Sequence, residues 1–571
     1  IYKILIDFHK NENLSFKNVI TFNLDEYYGL EKDHSQSYHK FMHDNLFDHI
    51  DIDVKNINIP DGKIDKKSID KYCKDYEKKI KSSGGIDIQL LGIGANGHIG
   101  FNEPGSNLNS ITRLVKLDYK TRKDARLDFN GIKNVPSSAI TMGVKTILSS
   151  KRIILLAWGQ GKSDSVKSAV ESRQNVKVPA SLLQSHVNTT FVLDKDSSSD
   201  LTRISQPWQV GAQLMDGEMK TRAIHWLSSV TKKPILRLTE KDYNQNNLSD
   251  LLIDKSHYDI NLEAFNKLQR TITGWPGGKP NADDTNRPER KNPSKKRVII
   301  FSPHPDDDVI SMGGTFDRLV SQGHEVHVAY QTSGNIAVSD QDALKFIEVN
   351  SDIMGADQSK TVSDLKNAIQ SINTRKPAPK SICDLKASIR KRESLAATRY
   401  IGIPDSQVHF MSLSFYETGT IKKNPFSKKD IDETISLIES IKPHQIYAAG
   451  DLSDPHGTHR VCLNIIFESL KLLKTKKFMK DCWVWLYRGA WHEWDIHEIE
   501  MAVPMSPDQV LRKRKAIFYH QSQKDGVMFK GDDHREFWVR AEERNANTAK
   551  DYKSLGLADY AAMEAFKRYF F

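Results

Sequence analysis

The stretch Phe301-Ser-Pro-His-Pro-Asp-Asp-Asp308 decides how this chain is read. It follows an apolar run, Arg297-Val-Ile-Ile-Phe301, that reads as a buried strand, and precedes an amphipathic stretch, Val309 to Ser321, that reads as a helix. A histidine and three carboxylates therefore sit on the loop leaving a strand's carboxyl end, where open α/β sheets hold their ligands. A second cluster, Asp454-Pro-His-Gly-Thr-His459, follows another apolar strand, Gln445-Ile-Tyr-Ala-Ala-Gly450. Together they describe a mononuclear metal centre of the hydrolytic kind. Zinc takes N and O donors in a roughly tetrahedral shell, and a catalytic site keeps one position open. His304 and Asp307 supply two ligands from the loop, and His459 is the candidate third. Asp306 then stays free as general base for the attacking water, and His456 is the candidate to steady the oxyanion of a tetrahedral intermediate. Zn2+ is the expected ion, although iron or cobalt also suits such a shell. A capped helix and a polar turn are the plainer readings of the two clusters. Their pairing, each after a strand, favours the metal.

Residues 1 to about 205 alternate apolar runs with helical patterns. Candidate strands are Val19–Leu24, Ile86–Gly92, Arg152–Ala157 and Thr190–Leu193, an alternation that predicts a mainly parallel sheet covered by helices. Residues 206–273 read as a helical extension with no chemistry of its own. Residues 274–296, rich in Pro, Gly and charge, read as a linker. From residue 297 a second α/β pattern runs to the end, so the expected architecture is two α/β domains joined by a helical segment and a linker.

Two loops of the first half carry candidate chemistry. In Thr21-Phe-Asn-Leu-Asp-Glu-Tyr-Tyr-Gly-Leu30, Asp25 and Glu26 are expected just past a strand. In Leu91-Gly-Ile-Gly-Ala-Asn-Gly-His-Ile-Gly-Phe-Asn-Glu-Pro104, glycines let backbone approach a ligand closely, and Asn96, His98 and Glu103 add polar groups. Carboxylates and an imidazole near one cleft suit proton shuttling at carbon. The rival readings are a tight turn for the glycines and a helix cap for Asp25-Glu26.

These strings, with Val-Pro-Ser-Ser-Ala-Ile-Thr-Met-Gly-Val, resemble glucosamine-6-phosphate deaminase over residues 1 to about 205. That resemblance implies conversion of glucosamine 6-phosphate and water to fructose 6-phosphate and ammonia, without a cofactor. Asp25 would move a proton between C1 and C2, and His98, oriented by Glu103, would assist ring opening. Asn96 stands where some members carry Asp, so ring opening would lean on Glu103. Glu26 is carried over as a substrate-binding residue and Lys162 as the phosphate lysine. The family's arginine falls near Thr121–Arg126, where the spacing departs from the usual pattern; Arg126 is preferred to Arg122. The family's phosphate loop lies upstream of the visible start, which reads as mid-helix. The family is often oligomeric, which implies a homo-oligomer.

The second half, 297 to 571, resembles the de-N-acetylases that act on N-acetylglucosaminyl-phosphatidylinositol and related bacterial conjugates. The family's opening motif is His-Pro-Asp-Asp-Glu, and here Asp308 replaces Glu. Ile389-Arg-Lys-Arg-Glu393 and the tail around His520 also fit, with Arg392, Glu393 and His520 as candidate supports of the pocket. Both resemblances imply Rossmann-like sheets, with the metal of the second at the carboxyl edge. The aromatic segment Trp483–Trp494 is expected to be mostly core, with a sugar-stacking wall as the alternative.

Composition narrows the partners. The 571 residues carry a net charge of +10, with Lys and Arg interspersed among Asp and Glu. That distribution argues against nucleic acid and for small anionic substrates. No apolar run reaches membrane-spanning length. Four scattered cysteines with no Cys-x-x-Cys pair suit a reducing, cytoplasmic setting. The expected partners are an amino-sugar phosphate and an N-acetylated amino sugar.

Overall fold

The computed structural model describes residues 1–126, 128–129, 131–280, 293–354, 363, 365, 367–369, 378–419, 423–450, 457–489, 492–524 and 535–571. The chain divides into two compact units, Ile1–Gln213 and Leu214–Phe571. Among the described residues no helix is long and apolar enough to cross a membrane.

The strands of the first unit are β1 (Thr21–Phe22), β2 (Asp25–Tyr27), β3 (Ile57–Asn58), β4 (Ile88–Leu91), β5 (Arg113–Lys116), β6 (Ser138–Thr141), β7 (Arg152–Ala157) and β8 (Thr189–Leu193). They form three small sheets: β1-β3 parallel, β4-β7-β8 parallel and β2-β6-β5 antiparallel. In β7, Ile153, Leu155 and Ala157 alternate inward onto Leu91, Val166 and Leu183. The helix Ile69–Ser82 buries Ile69, Cys73, Tyr76 and Ile80, which the 3.6-residue period sets on one face. The run Val19–Leu24 yields only β1, with Val19 and Ile20 exposed. Asp25 and Glu26, expected on a loop, lie in β2, where Asp25 is opposite Thr141 of β6.

The second unit is built on one seven-stranded sheet. Its strands are β9 (Arg297–Ser302), β10 (Glu325–Tyr330), β11 (Val408–Phe410), β12 (Gln445–Ala449), β13 (Trp483–Tyr487), β14 (Met501–Met505) and β15 (Ala562–Tyr569). Their order is β11-β10-β9-β12-β13-β15-β14. β9 to β13 run parallel, and β15 is antiparallel to both β13 and β14. Val298 to Ser302 are fully buried, as expected of a strand covered on both faces. The helix Asp307–Ser321 covers it with Val309, Met312, Phe316 and Leu319. Burying one such side chain contributes about 1.5–3 kcal/mol. This helix kinks at Met312, and Glu564 of β15 accepts from the backbone N–H of Gly314 (3.0 Å) and Thr315 (2.6 Å) just past the kink. From β9 the connections run one way to β10 and β11, and from β12 the other way to β13. The strand order therefore reverses between β9 and β12.

The helices Gly217–Thr231 and His257–Thr271 belong to this second unit. Thr271 Oγ1 lies 2.6 Å from Tyr552 Oη, and Ile272 bridges to Ala502 of β14. The stretch 206–273, expected as a helical extension, is divided between the two units at Gln213/Leu214. The aromatic segment is mostly core: Trp485, Tyr487 and Trp494 are buried, and Tyr487 Oη donates to Phe301 O at 2.6 Å.

Candidate active sites

The strand order reverses between β9 and β12, and such a reversal is where open α/β sheets bind ligands. The β9 loop carries His304 and leads into the helix Asp307–Ser321, while His459 stands in the first turn of the helix Thr458–Leu473 after β12. His304 Nδ1 lies 3.1 Å from Asp307 Oδ2 and 3.3 Å from His459 Nε2, and His459 Nε2 lies 3.2 Å from Asp307 Oδ2. A tetrahedral shell with bonds of about 2.0–2.1 Å has donor–donor edges of about 3.3–3.4 Å. Two imidazole nitrogens and a carboxylate oxygen, all near that separation, fit a divalent cation. Burial opposes ionisation of Asp307, yet His459 and His304 hold its carboxyl well below the usual range.

Asp306, next in sequence to Asp307, pairs with Arg390, Oδ1 to Nη2 at 3.1 Å. Burial pushes the Asp306 carboxyl up, and the guanidinium opposes that push. Arg390 is 1% exposed. A Cβ at Gly334, whose φ is +65°, would come within 3.0 Å of Arg390 Nε and 2.8 Å of Pro305, so this glycine permits the approach. Asp308, the departure from the family motif, accepts from Tyr330 Oη at 2.9 Å and Ser302 Oγ at 3.4 Å. Burial raises it to about 7.

The expected supports divide. Glu393 is buried and accepts from Ser522 N and Oγ, both at 2.7 Å. His520 is 1% exposed, and burial, then Arg390, keeps it neutral. Arg392 is exposed, whereas Arg390 reaches the pocket. Residues 390 and 393 share a helix face at i,i+3 spacing and 392 does not, a signal available in the sequence. His456 and Asp454 lie outside the described residues.

In the first unit, β2 and β6 bring two loops together. Thr141 Oγ1 accepts from Phe101 N at 3.0 Å. A Cβ at Gly100, φ +55°, would meet Thr141 Oγ1 at 3.0 Å and Asp25 Oδ2 at 3.2 Å. Asp25 thus lies beside the His98 loop. Burial, with Glu26 adding, pushes its carboxyl up to about 7. The His98 ring sits over Gly94, where a Cβ would overlap it.

His98 Nδ1 is 2.7 Å from Asn96 Oδ1, and Asn96 Nδ2 donates to Glu103 Oε2 at 3.0 Å. Glu103 itself is 3.6 Å from His98 Nδ1. The expected direct pairing of Glu103 with His98 is therefore a relay through Asn96, whose amide donates to one neighbour and accepts from the other. Burial lowers the His98 pKa, Glu103 raises it and Lys162 lowers it again.

Glu26 takes another role. Its oxygens accept from Ser37 Oγ and from the N–H groups of Tyr27, Tyr38 and His39, at 2.7–3.1 Å, at the start of the helix Tyr38–Asn45. It is 2% exposed, and its carboxylate caps the start of that helix. Lys162 precedes the helix Ser163–Glu171, and burial lowers its pKa, with Lys120 adding. Arg126 Nη1 donates to Lys123 O at 2.8 Å and Arg122 Nη2 to Ile132 O at 3.1 Å, so both guanidinium groups bind backbone. Lys120 was not foreseen; its Nζ donates to Ala95 O at 3.3 Å. Nor were Thr141 and Thr121, the latter 3.3 Å from His98 Nδ1.

Fold and geometry define a two-part α/β enzyme, and comparison with known proteins agrees. Residues 1–192 match the family described as glucosamine-6-phosphate isomerases/6-phosphogluconolactonase, and residues 299–470 match GlcNAc-PI de-N-acetylase. A glucosamine-6-phosphate deaminase-like protein of Bacteroides thetaiotaomicron is 51% identical over 582 residues, covering 100% of this chain and 87% of the relative. A glucosamine-6-phosphate deaminase of Clostridium botulinum (strain Loch Maree / Type A3) is 50% identical, over 35% of this chain and 82% of that protein. A solved monomeric glucosamine-6-phosphate deaminase is 46% identical, covering 35% of this chain and 81% of its own, with a TM-score of 0.34. The chain belongs to the family of glucosamine-6-phosphate deaminase-like proteins, with a de-N-acetylase-family region in its second half.

Proposed function

We propose that both units turn over: the second removes the acetyl group from an N-acetylglucosamine derivative, and the first converts the resulting glucosamine 6-phosphate to fructose 6-phosphate and ammonia. The observation that carries this reading is the mutual contact of His304, Asp307 and His459 at the sheet's reversal point, with Asp306 beside them on Arg390. A divalent cation held by that trio, zinc by preference, supplies Lewis acidity to the amide carbonyl and acidifies a water. Asp306 takes the proton of the attacking water and later delivers one to the leaving amine. Arg390 keeps that carboxylate charged and aimed. His456 steadies the developing oxyanion.

In the first unit, Asp25 abstracts the C2 proton and returns it at C1. A carboxyl near 7 is half-ionised at neutral pH, well matched to that exchange. His98, donating Nδ1–H to Asn96, has Nε2 free to move the ring-opening proton, and Glu103 fixes Asn96. Lys162, with Lys120 close by, binds the phosphate. Homo-oligomers and a cytoplasmic setting complete the proposal, and four free thiols suit a reducing compartment.

The test incubates the metal-loaded full chain with N-acetylglucosamine 6-phosphate and follows acetate, ammonia and fructose 6-phosphate together. The proposal expects acetate first, then equal amounts of the other two. Acetate without ammonia, with glucosamine 6-phosphate also left unconverted, assigns turnover to the second unit alone. Release of neither product from either sugar overturns the enzymatic reading.

A further inference from the structure

The helix Asp307–Ser321 is anchored twice. Its first turn carries Asp307, and Asp308 ties that turn to Tyr330 of β10 and Ser302 of β9. Beyond Met312, Phe316 and Leu319 pack into the core over the sheet. Met312 has φ −138° and ψ 27°, outside the helical region, so the axis changes direction between the two anchorages. Sharp kinks have identifiable causes, among them a proline, a pair of small residues, or a side chain inserted into the hydrogen-bond ladder. The helix has no proline, and Gly313-Gly314 adjoins the kink.

In a regular helix the N–H of Thr315 would donate to the carbonyl of Ser311, one turn back. Here each group of that rung has a side-chain partner. Thr315 N donates to Glu564 Oε2 at 2.6 Å and Gly314 N to Glu564 Oε1 at 3.0 Å, while Ser311 O accepts from Arg544 Nη2 at 3.1 Å. Arg544 is directed by Glu493, Nε to Oε2 at 3.2 Å, and by Arg488 O, which accepts from Nη1 at 2.7 Å. Glu564 is directed by Lys513, whose Nζ donates to it at 2.7 Å and to Asn545 Oδ1 at 2.8 Å. The glycines permit the approach: a Cβ at Gly313 would come within 3.0 Å of Lys513 Cγ, and one at Gly314 would overlap Met505.

Stability alone does not account for this arrangement. Lys513 and Glu564 are 2% and 1% exposed, and desolvation of a buried ion pair offsets most of its attraction. The geometry it fixes bears on the metal ligands. Met312 lies five residues past Asp307, about 7.5 Å along the axis. Straightening the helix there by about 20° would move Asp307 by about 2.6 Å, more than the whole length of a zinc–ligand bond, about 2.0–2.2 Å.

We propose that Glu564, locked by Lys513, is a positioning residue for the metal centre: it fixes the kink at Met312 and so the place of Asp307 relative to His304 and His459. The inference rests on the reading of that trio as a metal site. Glu564 bonds to Gly314, Thr315 and Lys513 and acts on the centre only through the helix. Its removal should loosen the metal while every ligand stays in the chain.

The test measures Zn2+ affinity of the full chain by competition with a chromophoric chelator, taking the binding step that Asp307→Ala abolishes. Glu564→Gln alone strands the Lys513 charge in the interior and endangers folding, so the double variant Lys513→Met/Glu564→Gln removes both charges together. It should hold Zn2+ roughly tenfold or more weakly. Arg544→Met releases Ser311 O with the Lys513–Glu564 pair intact; it should weaken binding in the same direction, and it carries the test if the double variant does not fold. Ile260→Ala, which truncates a buried side chain of the helix His257–Thr271, should lower stability and leave Zn2+ affinity unchanged. Wild-type affinity in the folded kink variants, or an equal loss in Ile260→Ala, would overturn the inference and leave the metal reading standing. A wild-type chain with no Zn2+ step sensitive to Asp307→Ala would overturn both.

Discussion

The two candidate centres are assembled in opposite ways. In the second unit the groups follow adjacent strands of one sheet, β9 and β12, and meet donor to donor within 3.3 Å. In the first, two small sheets share the work, and close backbone approach decides the geometry: Gly94 under the His98 ring, Gly100 against Asp25, Thr141 clamping β6 to the Gly100 loop. A centre of the first kind follows from strand order alone. A centre of the second kind follows from contacts, and small changes in backbone should harm it more.

The largest effects should separate the centres outright. Asp307→Ala or His459→Ala should lower bound metal from about one ion per chain to near none and cut acetate release roughly a thousandfold, with ammonia release from glucosamine 6-phosphate unchanged. Metal analysis and paired product assays check this, and parallel loss of both products would merge the two centres into one. Asp25→Asn should do the reverse, cutting ammonia release about 10²–10⁴-fold.

Gly94→Ala comes next. Its Cβ would overlap the His98 ring, and a displaced imidazole should cost roughly 10–100-fold in deamination with acetate release unaffected. An unimpaired variant would mean that His98 need not lie where it does.

The pH response discriminates further. Asp25 must be ionised to act as a base, so deaminase kcat/KM should rise with pH through an apparent value near 7. Stability should move the other way. The carboxyl's ordinary value is 3.8 and its folded value about 7, so between them the folded state holds more protons than the unfolded. Asp25 then costs stability progressively from about pH 4 to 7, and the loss levels off above. Asp25→Asn should remove that fall; a denaturation series unchanged by the substitution would reject it.

The smallest effect concerns the relay. Asn96→Asp keeps the acceptor for His98 and should change deamination only about threefold, whereas Asn96→Leu should lose roughly tenfold. Equal losses would restore Glu103 as the direct partner.

Much of the second centre was legible because its signals are local. A buried strand, a His-x-x-Asp loop and a helix start are contiguous, and His459 repeats the arrangement after β12. Arg390 was readable through its i,i+3 spacing to Glu393, but Arg392 drew attention in its place. The first centre was legible in residue type and obscure in role. Glu26 adjoins Asp25 in sequence, yet β2 alternation turns it to a helix start twelve residues on. Asn96 was recognised as a departure from a carboxylate, but an amide's capacity to accept from His98 while donating to Glu103 emerges only in three dimensions. Lys120 and Thr141 reach the site through pairings that no local pattern encodes.

The most direct test of two independent centres is complementation between single-site variants. Asp307→Ala and Asp25→Asn chains are assayed separately and mixed, with N-acetylglucosamine 6-phosphate as the sole sugar. Neither alone should form fructose 6-phosphate, and the mixture should form it with ammonia in equal amount. A mixture that stays silent while both chains remain folded, or ammonia from the Asp307→Ala chain alone, would contradict a chain with two separate centres acting in sequence.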